Sequence, residues 1–339
     1  MKHQLITVVL LFISVFAAAQ DPNPGMRELK ESPIGWDKIM APKGNYPGRQ
    51  PLLDTFSNWI KLTYTTPVGG LPQEERVSLP QGSKPVYLPK GWAMHMNFWV
   101  PCYDKTGRGL TRAQPASADF ISIQANNFYG REEANGFCTP AYYYFTMYYT
   151  PDGETVEKGV KEKLAATVNE VKQATGQRFV YVTNQYINIL LSPEHRFPIV
   201  PVTQGELLQV AEEVINKWES PADVRKEQLE ALQIYRHKYA GSQHAPALLR
   251  MAQLTVYSFD KDFELFVPGG YPLYKIAPAA YDAAKAGKTA FVSISFPYIH
   301  RGRSGKEIYK VMLHHFNYDY VYDYFFSPAK VKGKRYQPK

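Results

Sequence analysis

Residues 198–218 read PIVPVTQGELLQVAEEVINKW, an extended apolar segment that runs straight into an amphipathic helix. Pro198 and Pro201 hold φ near its extended value and bias the residues before them away from the helical region. Thr203 stands where an N-cap belongs, with Glu206 three positions on. This capping box predicts that the Thr203 hydroxyl accepts from the Glu206 amide while the Glu206 carboxylate reaches back to the Thr203 amide. Leu207, Val210, Ala211, Val214, Ile215 and Trp218 then recur at the three-and-four spacing of a helix lying on a core. Gln209, Glu212, Glu213 and Lys217 take the other side. Glu206 is thus read first as a cap, and only then as a catalytic carboxylate.

Working outward, Ser220, Pro221 and Asp223 start a second helix carried by Val224, Leu229, Leu232 and Tyr235, which ends before Gly241. Leu254–Phe259 is predicted as a strand, Ala279–Ala286 as a short helix closed by Gly287, and Thr289–Tyr298 (TAFVSISFPY) as a strong strand. Ser304 and Glu307 repeat the capping-box pattern ahead of a helix through Ile308, Val311, Met312 and Phe316. Tyr318–Phe326 is too aromatic to be left in water. On the other side, Arg178–Thr183 and Ile187–Leu191 read as strands around a turn at 184–186. They follow a helix with Val156, Val160, Leu164, Val168 and Val171 on one face, capped by Asp152 or Thr155 and stopped at Gly176. From 51 to 150 the pattern is mostly β: Trp59–Thr65 (WIKLTYT), Trp92–Val100, Phe120–Ala125 and the aromatic Ala141–Thr150. The expected class is α+β, a β-rich N-terminal half (51–150) followed by a mixed α+β half (151–330). Whether the boundary near Pro151 separates two domains or two layers of one is open.

Residues 1–19 read as an address: Lys2, an apolar run over Leu5–Phe16, and the small Ala17–Ala19 cleavage pattern. The run is shorter than the roughly 20 residues of a membrane span, and no other segment comes close, so the expected mature chain is exported, periplasmic or secreted, without a transmembrane segment. Its removal lowers the formal net charge from +8 to +7. Residues 20–50 form a Pro/Gly-rich leader, with Trp36 and Tyr46 as anchors. Lys330, Lys332, Lys334, Arg335 and Lys339 follow or flank Pro328, and residues 331–339 read as a solvated basic tail or an arm for polyanions. The only cysteines, Cys102 and Cys138, have one pairing in an oxidising compartment, a disulfide contributing roughly 4 kcal/mol on the chain-entropy model.

The patterns H-E-x-x-H, C-x-x-C, G-x-S-x-G and a post-strand G-x-G-x-x-G are absent. Adjacent His314 and His315 do not face one site on a helix, and Gly241 intervenes between His237 and His244. No metal and no cofactor is expected. An anion site is placed at His300–Lys306 (HRGRSGK), where Arg301, Arg303 and Lys306 meet the start of a helix; a basic surface loop is the plainer alternative. In the aromatic strand, Tyr143, Phe145, Met147 and Tyr149 face one side and Tyr142, Tyr144 and Tyr148 the other. If that second side is exposed, its rings form a platform for sugars, with Trp92 or Trp99 contributing. The acidic pairs Asp260/Asp262 and Glu132/Glu133 look like loop residues, not glycosidase carboxylates.

The segment PIVPVTQGELL resembles a loose group of uncharacterised exported bacterial proteins in which P-V-T-x-x-E leads from an extended segment into a helix. The resemblance covers Pro198 to Leu208 and implies no activity, cofactor or catalytic residue. The functional expectation is a non-enzymatic envelope or secreted protein that binds a glycan or an envelope protein, with nucleic acid excluded as a partner by export. The alternative is a periplasmic hydrolase acting on cell-wall or polysaccharide material.

Overall fold

The computed structural model describes residues 51–67, 71–78, 91–99, 101–103, 110–112, 119–127, 131–138, 143–147, 158–182, 186–251, 253–298 and 303–339. Within these, the side chains of residues 51, 71–78, 101–103, 110–112, 131–136, 138, 143, 147, 158–163 and 303 are outside the description. The expected signal peptide and leader, and the caps Asp152 and Thr155, lie outside the described residues, as do the side chains of Cys102 and Cys138.

The described elements of the first half are α1 (Pro51–Thr63), β1 (Leu71–Ser78), β2 (Trp92–Trp99), β3 (Pro101–Tyr103), β4 (Leu110–Arg112), β5 (Asp119–Ala125), β6 (Arg131–Cys138) and β7 (Tyr143–Met147). Then come α2 (Lys158–Thr175), β8 (Phe179–Val182), β9 (Tyr186–Leu191), β10 (Ile199–Pro201), α3 (Gln204–Lys217), α4 (Ala222–Lys238) and β11 (Leu248–Leu249). The chain closes with β12 (Tyr271–Ile276), α5 (Pro278–Lys285), β13 (Val292–Pro297), α6 (Arg303–His314) and α7 (Tyr318–Phe326). The fold is mixed α+β.

A six-stranded antiparallel sheet has the order β1-β2-β5-β13-β9-β8, and a second runs β10-β12-β7-β6 with β11 on β12; β3 and β4 form a ribbon. Both large sheets take strands from either side of residue 151, so the 51–150 and 151–330 segments share them.

One face of the six-stranded sheet carries Met94, Met96, Ile121, Ile123, Ile189, Ile294 and Phe296, all fully buried. It packs with Phe56 and Ile60 of α1, Val168 and Val171 of α2, Ile308 and Met312 of α6 and Val321 of α7. Each fully buried aliphatic or aromatic side chain contributes roughly 1.5–3 kcal/mol by leaving water. A second core joins Leu207, Ala211 and Ile215 of α3 to Leu232 and Tyr235 of α4, Tyr144 and Leu273. A third, with Tyr181 and Leu190 from the first sheet and Phe145, Ile199 and Ile276 from the second, brings the two sheets together.

Several expectations are corrected. WIKLTYT is not a strand: WIKLT closes helix α1, with Leu53, Phe56, Trp59 and Ile60 buried at the three-and-four spacing of one helix face and Tyr64 buried just beyond it. Leu254–Phe259 is not a strand; Val256–Ser258 forms a 3-10 turn capped reciprocally by Thr255 and Ser258. Ser304 lies inside α6, not at its cap, and its hydroxyl donates to the Asp119 carboxylate at 3.1 Å.

At the opening stretch the Thr203 hydroxyl does accept the Glu206 amide, at 3.2 Å. The Glu206 carboxylate does not turn back. Its Oε1 accepts the Tyr144 hydroxyl and the Lys275 ammonium, each at 2.6 Å, which ties α3 to β7 and β12. Gly176 ends α2 at φ +69°, the left-handed conformation that favours glycine at this position.

The 331–339 segment is docked, not solvated along its length. Tyr336 is buried, shares a 2.6 Å hydrogen bond with the Thr63 hydroxyl and accepts the Asn317 amide at 3.0 Å. The Lys339 amide donates to the His315 carbonyl at 2.8 Å. Among the described residues, no helix is long and apolar enough to cross a membrane.

Candidate functional site

The alternation of β2 (WAMHMNFW) puts Met94, Met96 and Phe98 on the helix-covered core and His95, Asn97 and Trp99 on the opposite face. Register then builds a polar row across that face. His95 lies opposite Ser122, Ser122 opposite Ser295, Ser295 opposite Asn188, and Asn188 opposite Tyr181. Residues directly opposite across antiparallel strands point to the same side, so these groups are neighbours.

Polar residues alternating with Ile and Val ordinarily mark a water-facing side. Here Ser122, Asn188, Ser293 and Ser295 are all fully buried. The Ser295 hydroxyl donates to Asn188 Oδ1 at 2.6 Å, Gln124 Nε2 donates to the Ser122 hydroxyl at 3.0 Å, and Asn127 Nδ2 to Gln124 Oε1 at 2.5 Å. The Ser293 hydroxyl has no hydrogen-bond partner among the described residues.

At one end of the row the chemistry becomes aromatic. Phe120 and Tyr186 stack at 4.1 Å between centroids, their planes 24° apart, although their strands are separated by β13. The His95 ring meets Phe120 edge-on at 5.7 Å. Asn97 lies opposite Phe120 in the register. His95, Asn97, Trp99, Phe120 and Tyr186 are all half-buried, so they combine packing with partial access from outside. Ring faces, an imidazole and a side-chain amide at the edge of a buried hydroxyl row can stack on and hydrogen-bond a neutral polyhydroxylated ligand.

Of the anticipated platform residues, Trp99 lies on this face and Tyr144 and Trp92 do not. Tyr144 is 2% exposed and belongs to the second core, stacked on Phe137 at 6.3 Å. With Phe145 and Thr146 also buried, β7 is covered on both faces, so Tyr144 offers no exposed ring. Tyr142 and Tyr148 lie outside the described residues. Trp92 packs against the helix-covered core, on the other side of β2 from Trp99, so the two do not share a surface. Arg301 and the Arg303 side chain are outside the description; Lys306 is exposed near the start of α6. Asp260 accepts the Asp262 amide at 2.9 Å, as a turn carboxylate does; Glu132 and Glu133 are not loop residues but lie in strand β6, paired with Thr146 and Phe145 of β7, their side chains outside the description. Among the described residues no group of three His, Cys, Asp or Glu side chains is placed to hold a metal ion.

A concavity of about 420 Å³ lies over the second core, between the segment 249–258 and residues 263–265. Its outer loop is latched by Tyr235, whose hydroxyl donates to the Phe263 carbonyl at 2.7 Å and also faces the Asp260 carbonyl. Burial, with Tyr239 and Asp260 adding to it, pushes the Tyr235 pKa from the ordinary 10.0 up to about 12. A raised tyrosine pKa means that the fold keeps the neutral phenol. That stability is fully present below pH 10 and is lost as the pH rises through about 12. Burial moves Tyr318 and Tyr336 in the same direction. Urea unfolding should therefore show a midpoint that falls between pH 10 and 12, with a smaller fall in Tyr235→Phe; a midpoint constant over that interval would refute the latch.

Comparison with protein-family models, with curated proteins and with solved structures finds no match to this chain.

Proposed function

We propose that this chain is an exported, non-enzymatic binding protein of the cell envelope whose aromatic and polar face takes a glycan. The observation that carries it is the stacked Phe120–Tyr186 pair beside His95 and Asn97, at the edge of the Ser122–Ser295–Asn188 row. A sugar offers both an apolar ring face and hydroxyl groups, and this face offers rings for the first and donors and acceptors for the second. Trp99, placed on the same face, extends the apolar part. Export rests on the Lys2–Ala19 pattern.

A glycan array probed with the protein tests this. Binding to a defined set of glycans is expected, and Tyr186→Ala and Phe120→Ala should each weaken it about tenfold, as loss of a central aromatic contact does. Trp92→Phe, on the opposite side of β2, should leave it unchanged. Uniform lack of binding would overturn the glycan proposal in favour of an envelope protein as partner, and shortened glycans among the products would replace it with the hydrolase.

A further inference from the structure

We infer that the concavity between residues 249–258 and 263–265 is a second site, for a small amphipathic anion: an acyl or aryl body carrying one carboxylate or sulfonate. Its volume of about 420 Å³ falls in the range of small-molecule sites, roughly 300–1,000 Å³. The floor is apolar, with Leu249, Leu254 and Leu265 each no more than 4% exposed and all part of the second core. Around the mouth, Met251, Tyr257 and Phe263 are 62%, 58% and 56% exposed. These are three of the most exposed large apolar side chains among the described residues, gathered at one opening. Such a cluster marks a surface that an apolar body covers.

The charges at the mouth select the sign of the head group. Glu264, the acid on the rim, is matched by Lys238 at 2.9 Å. Arg250, the rim cation, has no carboxylate partner among the described residues; its guanidinium lies 5.3 Å from the Phe263 ring centroid. A ligand anion would supply the forked partner that a guanidinium binds best. A neutral apolar side chain from a protein partner would fill the floor and leave Arg250 unmatched.

The walls are built before anything binds. The Arg250 amide donates to the Leu265 carbonyl at 3.1 Å and the Val267 amide to the Leu248 carbonyl at 3.0 Å, pairing the two segments. Gly270 makes the close approach beneath them, since a Cβ there would come within 2.4 Å of the Leu249 carbonyl oxygen. The Tyr235 latch holds the outer loop. A preformed site spends little of its binding energy on ordering itself. Thr255 and Ser258 use their hydroxyls to cap each other's backbone, which fixes the turn that forms one wall.

Three probes separate body from head group: 8-anilinonaphthalene-1-sulfonate followed by its fluorescence, dodecanoate, and the uncharged dodecanol. Saturable fluorescence, displaced by dodecanoate, is expected with the full chain. Arg250→Gln should weaken dodecanoate about tenfold, the loss of one charged hydrogen-bonding partner, and leave dodecanol within about twofold. Arg250 is exposed, so this variant keeps the fold; Met251→Asp, also exposed, should weaken both ligands. Equal affinity of wild type and Arg250→Gln for dodecanoate would overturn the anionic part. Absence of saturable binding by all three probes would overturn the site, and neither result depends on the glycan face.

Discussion

A chain consisting of residues 151–330 alone will show no cooperative thermal transition. In the whole protein β13 is hydrogen-bonded to β5 on one side and β9 on the other, and β12 is bonded to β7. Deleting residues 51–150 removes β1, β2 and β5 from the first sheet and β6 and β7 from the second. It strips Phe56, Trp59, Ile60, Met94, Met96, Ile121 and Ile123 from the first core and leaves the β5-facing edge of β13 unpaired. An exposed hydrophobic edge is a template for aggregation, not a stable surface. Circular dichroism melts of the fragment and the full chain check this. A single sharp fragment transition would show that the second half folds alone.

Two substitutions on one strand should have opposite signs. Phe296→Ala removes a fully buried ring from the centre of the first core, where it packs 6.2 Å from Tyr309. Such truncations cost about 3–5 kcal/mol by lost transfer energy and the cavity left behind, against a total stability of about 5–15 kcal/mol. Ser293, three residues earlier and on the other face, holds a buried hydroxyl without a hydrogen-bond partner among the described residues. Ser293→Ala removes a polar group whose burial costs about 1–3 kcal/mol, so it should be neutral or stabilising. Urea unfolding of both variants measures the contrast. A clear loss from Ser293→Ala would mean that the hydroxyl is engaged after all.

Much of the local structure was legible. The Thr203 cap, the stop at Gly176, the alternation of β2, β5 and β13 and the helix after Lys306 all follow from interactions within a few residues. The failures have physical causes. WIKLTYT alternates by composition, but its helix begins at Pro51, and the three-and-four spacing appears only when Leu53 and Phe56 are counted with Trp59 and Ile60. In β7, Tyr144 and Phe145 go to different cores, and no pattern within one strand tells that both faces will be covered. The candidate site was half visible. His95, Asn97 and Trp99 share a face by alternation alone, whereas the Phe120–Tyr186 stack depends on which strand lies between theirs.

The opening stretch divides the two kinds of information. By itself, the sequence 198–218 determined an extended segment, a threonine cap and a helix with one apolar side, because each rests on backbone sterics or on bonds spanning three or four residues. Only the tertiary structure decided what Glu206 does. The Tyr144 hydroxyl and the Lys275 ammonium, brought to it by β7 and β12, take the oxygen that local geometry had offered to the Thr203 amide. The same holds for the serines of β5 and β13: their side of the strand was set locally, and whether that side met water or protein was set by contacts more than a hundred residues apart in the chain, such as Ser295 with Asn188.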